Sequence, residues 1–521
     1  STYSNGLLQT MTDALGNITT YAYDAQRRTK SVTDAKGTKT STTYFGNSSR
    51  PKMRYISGTI SLDYLYSNGL LNKVIRGGYA PDDTTTKKSQ VYSFLYDKFG
   101  RSTKISVAGN DLVTYSYAKN GSYDPKSMTH GNGAVVNYVY DIFGRVTGKT
   151  YSGTNSSGNY SYTYDANGNI WRIADNTDSS NPVVYNYDYD SLGRLIRSNK
   201  KKNGVTQIRT EHQYDSENRV KKQSWQLPGQ TYTETYTYNS SNGSLTKLET
   251  SKGALAFGYD DLLRQTTKLS DQFRETYTYT TQAGNANQTS TKFAQIAYTG
   301  VTSYFTNTTL GYTYDALGNI KTISRDGVTT EYSYDNQGQL TKEETRNAGN
   351  TITSTYTYTY DTYGNIREKK EYSGAATSGN LEKTYTYSYP TNGWLDELTG
   401  IKIDNGTTQS FTYDAIGNPL TYKNGTNWTF TWKNGRQLAT ANASGKNISY
   451  TYDANGIRSS KTVNGVTHSY TTLNGQVVRE TWTENGTAHT LDIVTDNAGR
   501  PYALVYDGTT YYYVLNHQGD V

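Results

Sequence analysis

One short frame recurs along the chain: Tyr-Asp, two variable residues, Gly, then Arg or Asn, and then an aliphatic residue. The Tyr-Asp pairs that begin at positions 140, 164, 189 and 214 follow one another at intervals of 24 or 25 residues. Because self-similarity at a fixed period of about 20 to 50 residues is the signature of a repeat architecture, this frame constrains the fold more than any single residue does. The chain is predicted to be an array of small, similar units.

Six copies keep the frame with the fewest changes. Their Tyr, Asp, Gly and Arg or Asn residues are the predicted structural repeat residues, and we expect positive φ at the glycines. They are Tyr140, Asp141, Gly144, Arg145; Tyr164, Asp165, Gly168, Asn169; Tyr189, Asp190, Gly193, Arg194; Tyr314, Asp315, Gly318, Asn319; Tyr360, Asp361, Gly364, Asn365; and Tyr413, Asp414, Gly417, Asn418.

Each copy of the frame has the features of a β-hairpin. Tyr alternates with Thr before the turn, as in residues 356–360, and this period of two is typical of a strand whose side chains point alternately to opposite faces. The Asp carboxylate can accept the backbone N–H two residues on, and Gly supplies the positive φ that closes the turn. The aliphatic residue restarts a strand, and Asn-Gly pairs such as Asn203-Gly204 lead into the next hairpin. Helix is expected to be negligible.

The composition favours a sheet that is wet on at least one side. Hydrophobic residues make up 33% of the chain, 53 residues are Tyr, and the mean hydropathy is −0.80. Disordered chains are similarly polar, but they lack regularly spaced aromatic residues and turn glycines. Closing the sheet on itself would hide its edges. We therefore predict an all-β protein, a continuous antiparallel hairpin sheet that closes into a hollow shell as one body over residues 1–521.

Charge and cysteine content argue against several classes of protein. The net charge of +7 is spread over 52 Lys and Arg residues, and the densest run is Lys200-Lys201-Lys202, whereas a nucleic-acid-binding face clusters its charge. The chain has no Cys, which excludes disulfides, thiol nucleophiles and Cys-based zinc sites. No stretch approaches the ~20 apolar residues of a membrane helix. We expect neither a nucleic-acid partner nor a membrane span.

The sequence contains no recognisable catalytic or metal-binding motif. Its histidines lack the His-Glu-x-x-His spacing of zinc proteases and are expected to lie on the surface. The recurrent Asp could bind Ca²⁺, but one carboxylate per turn falls short of the roughly six to eight oxygen ligands of a calcium site. We therefore expect no catalytic residue, metal or cofactor. The histidines are His130, His212, His468, His489 and His517.

The Tyr-Asp-x-x-Gly-Arg/Asn-Leu/Ile repeats resemble the Rhs/YD-repeat family: bacterial Rhs and wall-associated polymorphic toxins, shell components of insecticidal toxin complexes, and the teneurins of animals. The resemblance runs from the frame at residues 13–18 nearly to the end of the chain. It implies a spiral β-shell that encloses a C-terminal toxin or effector of the same polypeptide, in a secreted or cell-surface bacterial protein used in competition. The Cys-free, Asn/Thr/Lys-rich style resembles a Gram-positive, wall-associated member.

The sequence departs from the family pattern in one respect. The family's core ends with a Tyr/Arg-rich motif and an Asp-Pro-containing self-cleavage site, whereas the only Asp-Pro of this chain, Asp124-Pro125, lies within the repeats. We therefore expect self-cleavage and toxin activity to lie outside these residues, and the fragment itself not to be an enzyme. Both ends are expected to be cut from a longer polypeptide.

A carbohydrate-binding or adhesion module, contacting cell-wall or surface glycan, is the alternative function. Exposed aromatic rings stack on sugars, and the closest Trp pair, Trp428 and Trp432, lies on one face of a predicted strand. Packing within the protein is the competing explanation, since Trp is highly buried on average. An adhesin would show a localised outward aromatic patch, whereas a shell keeps its aromatic residues on the concave wall.

Overall fold

A computed structural model describes residues 1–56, 60–80, 83–118, 122–282, 285–302, 305–424, 426–473 and 475–521. Strands make up 63% of the chain, and the helical content of the described residues is a single 3-10 turn, Ser378–Asn380. The prediction of an all-β, antiparallel hairpin fold is confirmed. The chain divides into two compact units, and the prediction of one continuous body stays a prediction. Unit 1 is Ser1–Leu112, Thr276–Ala297 and Asn307–Gly417, and unit 2 is Val113–Glu275, Tyr298–Thr306 and Asn418–Val521.

Unit 1 is built from two runs of strands. The first run is β1 (Thr2–Ser4), β2 (Leu7–Thr12), β3 (Ile18–Tyr23), β4 (Thr29–Thr33), β5 (Lys39–Tyr44), β6 (Pro51–Ile56), β7 (Ile60–Ser67), β8 (Leu70–Ala80), β9 (Asp83–Tyr96) and β10 (Ser102–Val107). Three strands then have residues in both units: β11 (Asn110–Tyr117), β25 (Phe273–Gln282) and β26 (Asn285–Gly300). The second run is β27 (Thr308–Tyr314), β28 (Ile320–Arg325), β29 (Val328–Tyr334), β30 (Leu340–Arg346), β31 (Ile352–Tyr360), β32 (Ile366–Tyr372), β33 (Leu381–Ser388), β34 (Gly400–Ile403) and β35 (Gln409–Ser410).

Unit 2 also contains two runs of strands. The first is β12 (Pro125–His130), β13 (Ala134–Tyr140), β14 (Val146–Gly153), β15 (Gly158–Tyr164), β16 (Ile170–Asp175), β17 (Val183–Tyr189), β18 (Leu195–Lys202), β19 (Val205–Tyr214), β20 (Val220–Leu227), β21 (Gln230–Tyr238), β22 (Leu245–Thr250), β23 (Gly253–Tyr259) and β24 (Gln265–Leu269). The second is β36 (Thr421–Asn424), β37 (Thr426–Lys433), β38 (Gln437–Ala443), β39 (Lys446–Tyr452), β40 (Arg458–Val463), β41 (Val466–Leu473), β42 (Gln476–Glu484), β43 (Thr487–Thr495), β44 (Pro501–Tyr506) and β45 (Thr509–Tyr512).

A β-bulge accompanies the repeat turns. Strands β15 and β16 pair Thr163 with Arg172 but Tyr164 with Ile170, so Trp171 has no residue opposite it. The same shift occurs at Tyr189. Because a bulge adds local twist, its recurrence beside the turns gives successive hairpins a repeated bend. This irregularity is invisible in the alternation of Tyr and Thr.

Each unit is held together by contacts between residues far apart in the sequence. In unit 1, Lys36 forms an ion pair with Asp315 at 2.6 Å. In unit 2, Tyr298 Oη donates to the Leu515 carbonyl at 2.7 Å. A core cluster in unit 2 joins residues of β22 and β23 to residues of β43 and β44. Its buried members are Leu245, Leu248, Leu255, Phe257, Val494, Tyr502, Ala503 and Val505.

Candidate functional site

The motif Asp uses both carboxylate oxygens to close its turn. Between β15 and β16, Asp165 Oδ1 accepts hydrogen bonds from the backbone N–H groups of Asn167 and Asn169 at 2.9 and 2.8 Å. Its Oδ2 accepts a further bond from Asn169 Nδ2 at 3.0 Å. The bond two residues on was predicted, but the two bonds four residues on were not. The hydrogen bond from the Asn169 side chain lowers the pKa of Asp165, so its carboxyl group is ionised at neutral pH.

Arg takes the place of Asn in other copies of the turn. Arg194 Nε donates to Asp190 Oδ2 at 2.7 Å, and the Arg194 backbone N–H donates to Oδ1 at 3.0 Å. The side-chain hydrogen bond from Arg194 lowers the pKa of Asp190. Arg145 makes the same two bonds to Asp141. Either Arg or Asn can occupy this position, because both side chains can donate an N–H to the turn carboxylate.

The glycines of the six clearest copies all have positive φ, as predicted. In this left-handed region a Cβ atom costs roughly 1–2 kcal/mol, so glycine is the suitable residue. At Gly417, moreover, the ring of Trp394 occupies the space that a Cβ atom would need. The φ angles are 79° at Gly144, 88° at Gly168, 76° at Gly193, 86° at Gly318, 82° at Gly364 and 82° at Gly417.

The motif Tyr links each repeat to the one before it. Its hydroxyl donates to the backbone carbonyl of the aliphatic residue that follows Gly-Arg or Gly-Asn in the preceding copy, as Tyr189 does to Ile170 at 2.9 Å. The sequence indicated only that such a hydroxyl needs a partner. Further bonds of 2.6–2.9 Å, each to the first aliphatic residue after the preceding turn, are Tyr164 to Val146, Tyr214 to Leu195, Tyr238 to Val220, Tyr334 to Ile320, Tyr360 to Leu340 and Tyr452 to Leu438.

A second contact between repeats involves the motif Arg. The Arg145 guanidinium lies 4.4 Å from the centre of the Tyr164 ring in the next copy. Arg194 lies at the same distance from the Tyr214 ring. A cation at this distance from an aromatic face is attracted by the ring quadrupole, by about 0.5–1 kcal/mol at exposed sites. The Arg thus contacts both its own turn carboxylate and the next repeat.

The three remaining predicted copies carry Asn directly after the turn glycine. Asp315 and Asp361 accept side-chain hydrogen bonds from Asn319 and Asn365, both at 3.0 Å. In the last copy, Asn418 Nδ2 donates to the Gly435 carbonyl at 2.8 Å. In three of the six copies the Tyr hydroxyl donates to the backbone carbonyl of an earlier residue: Tyr140 to Pro125, Tyr314 to Phe293 and Tyr413 to Leu398.

The two candidate glycan-contact residues, Trp428 and Trp432, lie on β37 and are both half-buried. Trp432 Nε1 donates to the Pro419 carbonyl at 2.7 Å, so this indole replaces the motif Tyr in the bond between repeats. Trp428 stacks on Phe430 with ring centres 6.5 Å apart. The structure therefore gives Trp432 a packing role that the sequence did not reveal, although the Gly435-Arg436 that follows was a signal of a shortened repeat.

Two histidines that the sequence assigned to the surface flank a tryptophan in unit 2. The His468 and His489 rings stack on Trp482, with ring centres 4.9 and 5.2 Å apart. The Nδ1 atoms of these histidines lie 2.7 Å from carboxylate oxygens of Glu480 and Asp507. Strands β41–β43 bring these residues together, although Trp482 lies 14 residues and His489 lies 21 residues after His468. These separations match no metal-binding or catalytic motif, so the sequence gave no signal of the cluster.

The residues that the structure describes contain neither a metal-site cluster nor a membrane-spanning helix. Among them, no group of three or more His, Cys, Asp or Glu residues could hold a metal ion. None of the helical structure in these ranges has the length and hydropathy needed to cross a membrane. The repeated turn, with its Tyr, Asp, Gly and Arg or Asn, thus remains the main organised feature.

Three segments of the chain match the models of known repeat families. Residues 3–44 and 314–351 match the family described as RHS Repeat, and residues 135–282 match Teneurin YD-shell. These segments are similar to Rhs and YD-shell repeats. The tRNA3(Ser)-specific nuclease WapA of Bacillus spizizenii is 32% identical over 173 residues, covering 28% of this chain and 7% of WapA. The recognition of Rhs/YD repeats from the Tyr-Asp frame is therefore confirmed.

Solved structures share this fold over almost the whole chain. The crystal structure of TcdB2-TccC3 without its hypervariable C-terminal region matches 97% of this chain with a TM-score of 0.60 and 16% sequence identity. A pore structure of the Photorhabdus luminescens Tc holotoxin matches 95% with a TM-score of 0.55 and 14% identity. This chain covers 29% and 30% of those two chains. At such low identity the likeness is one of fold.

Replacing Tyr189 with Phe tests the link between repeats. The substitution keeps the ring but deletes the hydroxyl that binds the Ile170 carbonyl. We therefore expect the free energy of unfolding to fall by about 0.5–1.5 kcal/mol. Tyr511→Phe in the same unit is the matched control, because Tyr511 is 52% exposed and its loss of a hydroxyl should change stability by less than about 0.5 kcal/mol. Urea denaturation followed by circular dichroism measures both. Equal effects of the two substitutions would show that the link contributes nothing.

Proposed function

We propose that this YD-repeat region is part of the wall of a shell that encloses a C-terminal effector of the same polypeptide and delivers it in bacterial competition. The observation that carries the proposal is the fold match to TcdB2-TccC3 over 97% of the chain, since that protein has a hypervariable C-terminal region outside the matched structure. The similarity of one segment to a nuclease, WapA, gives independent support for a toxin context. The enclosed effector is thus the expected partner.

The chemistry of the sheet suits containment. The motif tyrosines keep their hydroxyls bound to backbone carbonyls of neighbouring repeats, so they add polar area without offering free hydrogen-bonding groups. Such a wall offers an enclosed polypeptide no continuous apolar surface against which to unfold or aggregate. Containment also needs no catalytic residue, metal or cofactor, and the repeat residues then act only as structure. A secreted or cell-surface location, in a Gram-positive bacterium, belongs to the same proposal.

A protease-protection assay tests containment. A nuclease effector is fused downstream of the complete repeat core, and we expect protease to degrade the free effector while leaving the fused effector intact. Ser161→Pro should abolish protection, because Ser161 pairs with Gly148 on one side and Ala174 on the other, and Pro cannot donate to the ladder. Ser191→Pro is the matched control, since Ser191 is the first residue after Asp190 in a turn that accepts Pro.

The glycan alternative is tested on the bare fragment. Tight and saturable binding to a cell-wall glycan, lost in Trp428→Ala and combined with no protection of the effector, would replace containment by adhesion. Degradation of the fused effector at the rate of the free effector would by itself contradict the proposed function. Protection that persists in Ser161→Pro would show that the intact sheet is not its cause.

A further inference from the structure

Unit 2 contains a cavity of about 490 Å³ that the repeat turn does not explain. Strands β20–β22 supply part of its lining, including Trp225, Tyr232 and Glu234. The rest comes from residues some 240 positions later in the sequence, among them Val478, Arg479 and Asp492. Cavities of about 300–1,000 Å³ with aromatic linings and a few placed polar groups are typical of ligand sites.

Among the charged groups that line this cavity, Arg479 and Asp492 form an ion pair, and Lys252 Nζ lies 5.9 Å from the centre of the Tyr232 ring. Arg479 Nε donates to Asp492 Oδ1 at 2.6 Å and Nη2 donates to Oδ2 at 3.0 Å, while the Tyr232 hydroxyl donates to Asp492 Oδ2 at 2.8 Å. Glu234 is 7% exposed, and burial raises the pKa of its carboxyl group towards the neutral form. A charged ligand would lose its hydration, and the Arg479–Asp492 pair, already satisfied, offers it no counter-ion. The ligand that fits is therefore uncharged.

The lining is largely apolar and aromatic. The Trp225 and Tyr232 rings are stacked, with centres 5.4 Å apart and planes 11° from parallel. Together with Leu227 and Leu473 they form a buried cluster, and Val478 packs against it. Because aromatic side chains bury large areas and favour contact with other rings, an aromatic group is the apolar part that this lining suits best.

Three lining residues retain hydrogen-bonding groups that no described residue satisfies. Glu234 uses Oε2 for the Tyr236 hydroxyl and Gln223, which leaves Oε1. Arg479 uses Nε and Nη2, which leaves Nη1, and Trp225 Nε1 makes no bond within the described ranges. Arg479 Nη1 and Trp225 Nε1 donate, and Glu234 Oε1 of a neutral carboxyl group donates or accepts, so the set matches the C=O and N–H groups on either side of a peptide residue.

We propose that this cavity binds an uncharged aromatic residue of a polypeptide together with its flanking amide groups. The proposal rests on the containment function and deepens it, because the cavity then holds a segment of the enclosed effector at a defined place in unit 2. The aromatic ring contacts Trp225, Leu473 and Val478. The flanking amides bind Glu234 and Arg479.

Binding of a blocked amino acid to the bare fragment tests this proposal. Isothermal titration calorimetry with N-acetyl-L-phenylalanine amide should show saturable binding with one site per chain. N-acetylglycine amide and N-acetyl-L-aspartic acid amide should bind at least tenfold more weakly, because the first lacks the ring and the second brings an uncompensated charge. The absence of saturable binding by the phenylalanine probe overturns the proposal. Tighter binding of N-acetylglucosamine than of that probe overturns it in favour of a sugar site.

Two substitutions locate the binding. Val478→Trp fills the cavity and should weaken probe binding at least tenfold, whereas Val205→Trp, at a residue 62% exposed in the same unit, should leave it unchanged. Should Val478→Trp fail to fold by circular dichroism, Trp225→Phe decides. It should weaken binding about three- to tenfold, as for one lost hydrogen bond, and should remove most of the probe-induced change in tryptophan emission. An undiminished emission change in Trp225→Phe overturns the assignment.

The outcome is independent of the protection assay. Probe binding without protection of a fused effector would refute containment and leave an aromatic-residue site in unit 2. Protection without probe binding would keep containment and refute the site. In the protected fusion, the effector segment should occupy the cavity, so the number of probe molecules bound per chain should be lower than in the bare fragment.

Discussion

Raising the pH from 10 to 12 is expected to unfold this protein steeply. Burial, with smaller contributions from neighbouring charges, raises the pKa of many tyrosines from 10.0 to about 12. Those with such a pKa are Tyr160, Tyr162, Tyr187, Tyr314, Tyr332, Tyr363, Tyr389 and Tyr502.

The sign of the effect follows from the direction of the shift. A group whose pKa is higher in the folded state binds its proton more tightly there, so its contribution to stability is fully present below the pKa of the unfolded chain, about 10. That contribution is lost as the pH rises towards 12, because the unfolded chain has already released its proton. The losses of the eight tyrosines add together over one pH range.

Tyrosinate absorbance and circular dichroism, measured together from pH 9 to 12.5, check this prediction. Ionisation of the native protein should begin well above the midpoint of the urea-unfolded protein, which serves as the reference, and should coincide with loss of strand signal. A native titration that overlays the unfolded one would contradict the burial of these rings. At acid pH a weaker dependence is expected, because the lowered pKa of Asp165 and the raised pKa of Glu234 have opposite effects.

The turn chemistry could be predicted from the sequence because it is local. The Asp165 carboxylate, the Gly168 backbone and the Asn169 side chain lie within five consecutive residues, and their interactions depend on little else. Strands and all-β class followed equally from the alternation of Tyr and Thr, whose meaning is also local. Fold and family were therefore accessible without coordinates.

The contacts between repeats required the register of the sheet. The Tyr189 hydroxyl reaches a carbonyl 19 residues earlier, and the bulge beside the turn decides which carbonyl that is. Trp432 could replace a motif Tyr only because an indole N–H reaches the same kind of acceptor. The unit 2 cavity joins Tyr232 to Asp492, 260 residues apart, and nothing periodic in the sequence relates those positions.

Replacing Gly153 with Ala is expected to be among the most damaging small substitutions in unit 2. Gly153 ends β14 with a φ of 85°, and a methyl group there would overlap the carbonyl oxygen of Gly133 on the facing backbone. Backbone strain of roughly 1–2 kcal/mol then adds to an overlap that costs about 1–3 kcal/mol, since a paired strand end cannot move as a side chain can. The Ala134–Gly153 pair should be lost with it.

Gly193→Ala separates these two causes. Gly193 has a φ of 76° in a repeat turn, but apart from its chain neighbours no described residue has an atom within 4 Å of the place its Cβ would take, so only the strain of roughly 1–2 kcal/mol should appear. Because a repeat array transmits damage mainly to neighbouring units, hydrogen exchange should accelerate around residues 133–154 in Gly153→Ala and around the 190–194 turn in Gly193→Ala. Equal losses of stability in the two variants would mean that the ends of β13 and β14 can move apart to accommodate a methyl group. The positive φ alone, rather than the close approach of two backbones, would then explain the glycine at position 153.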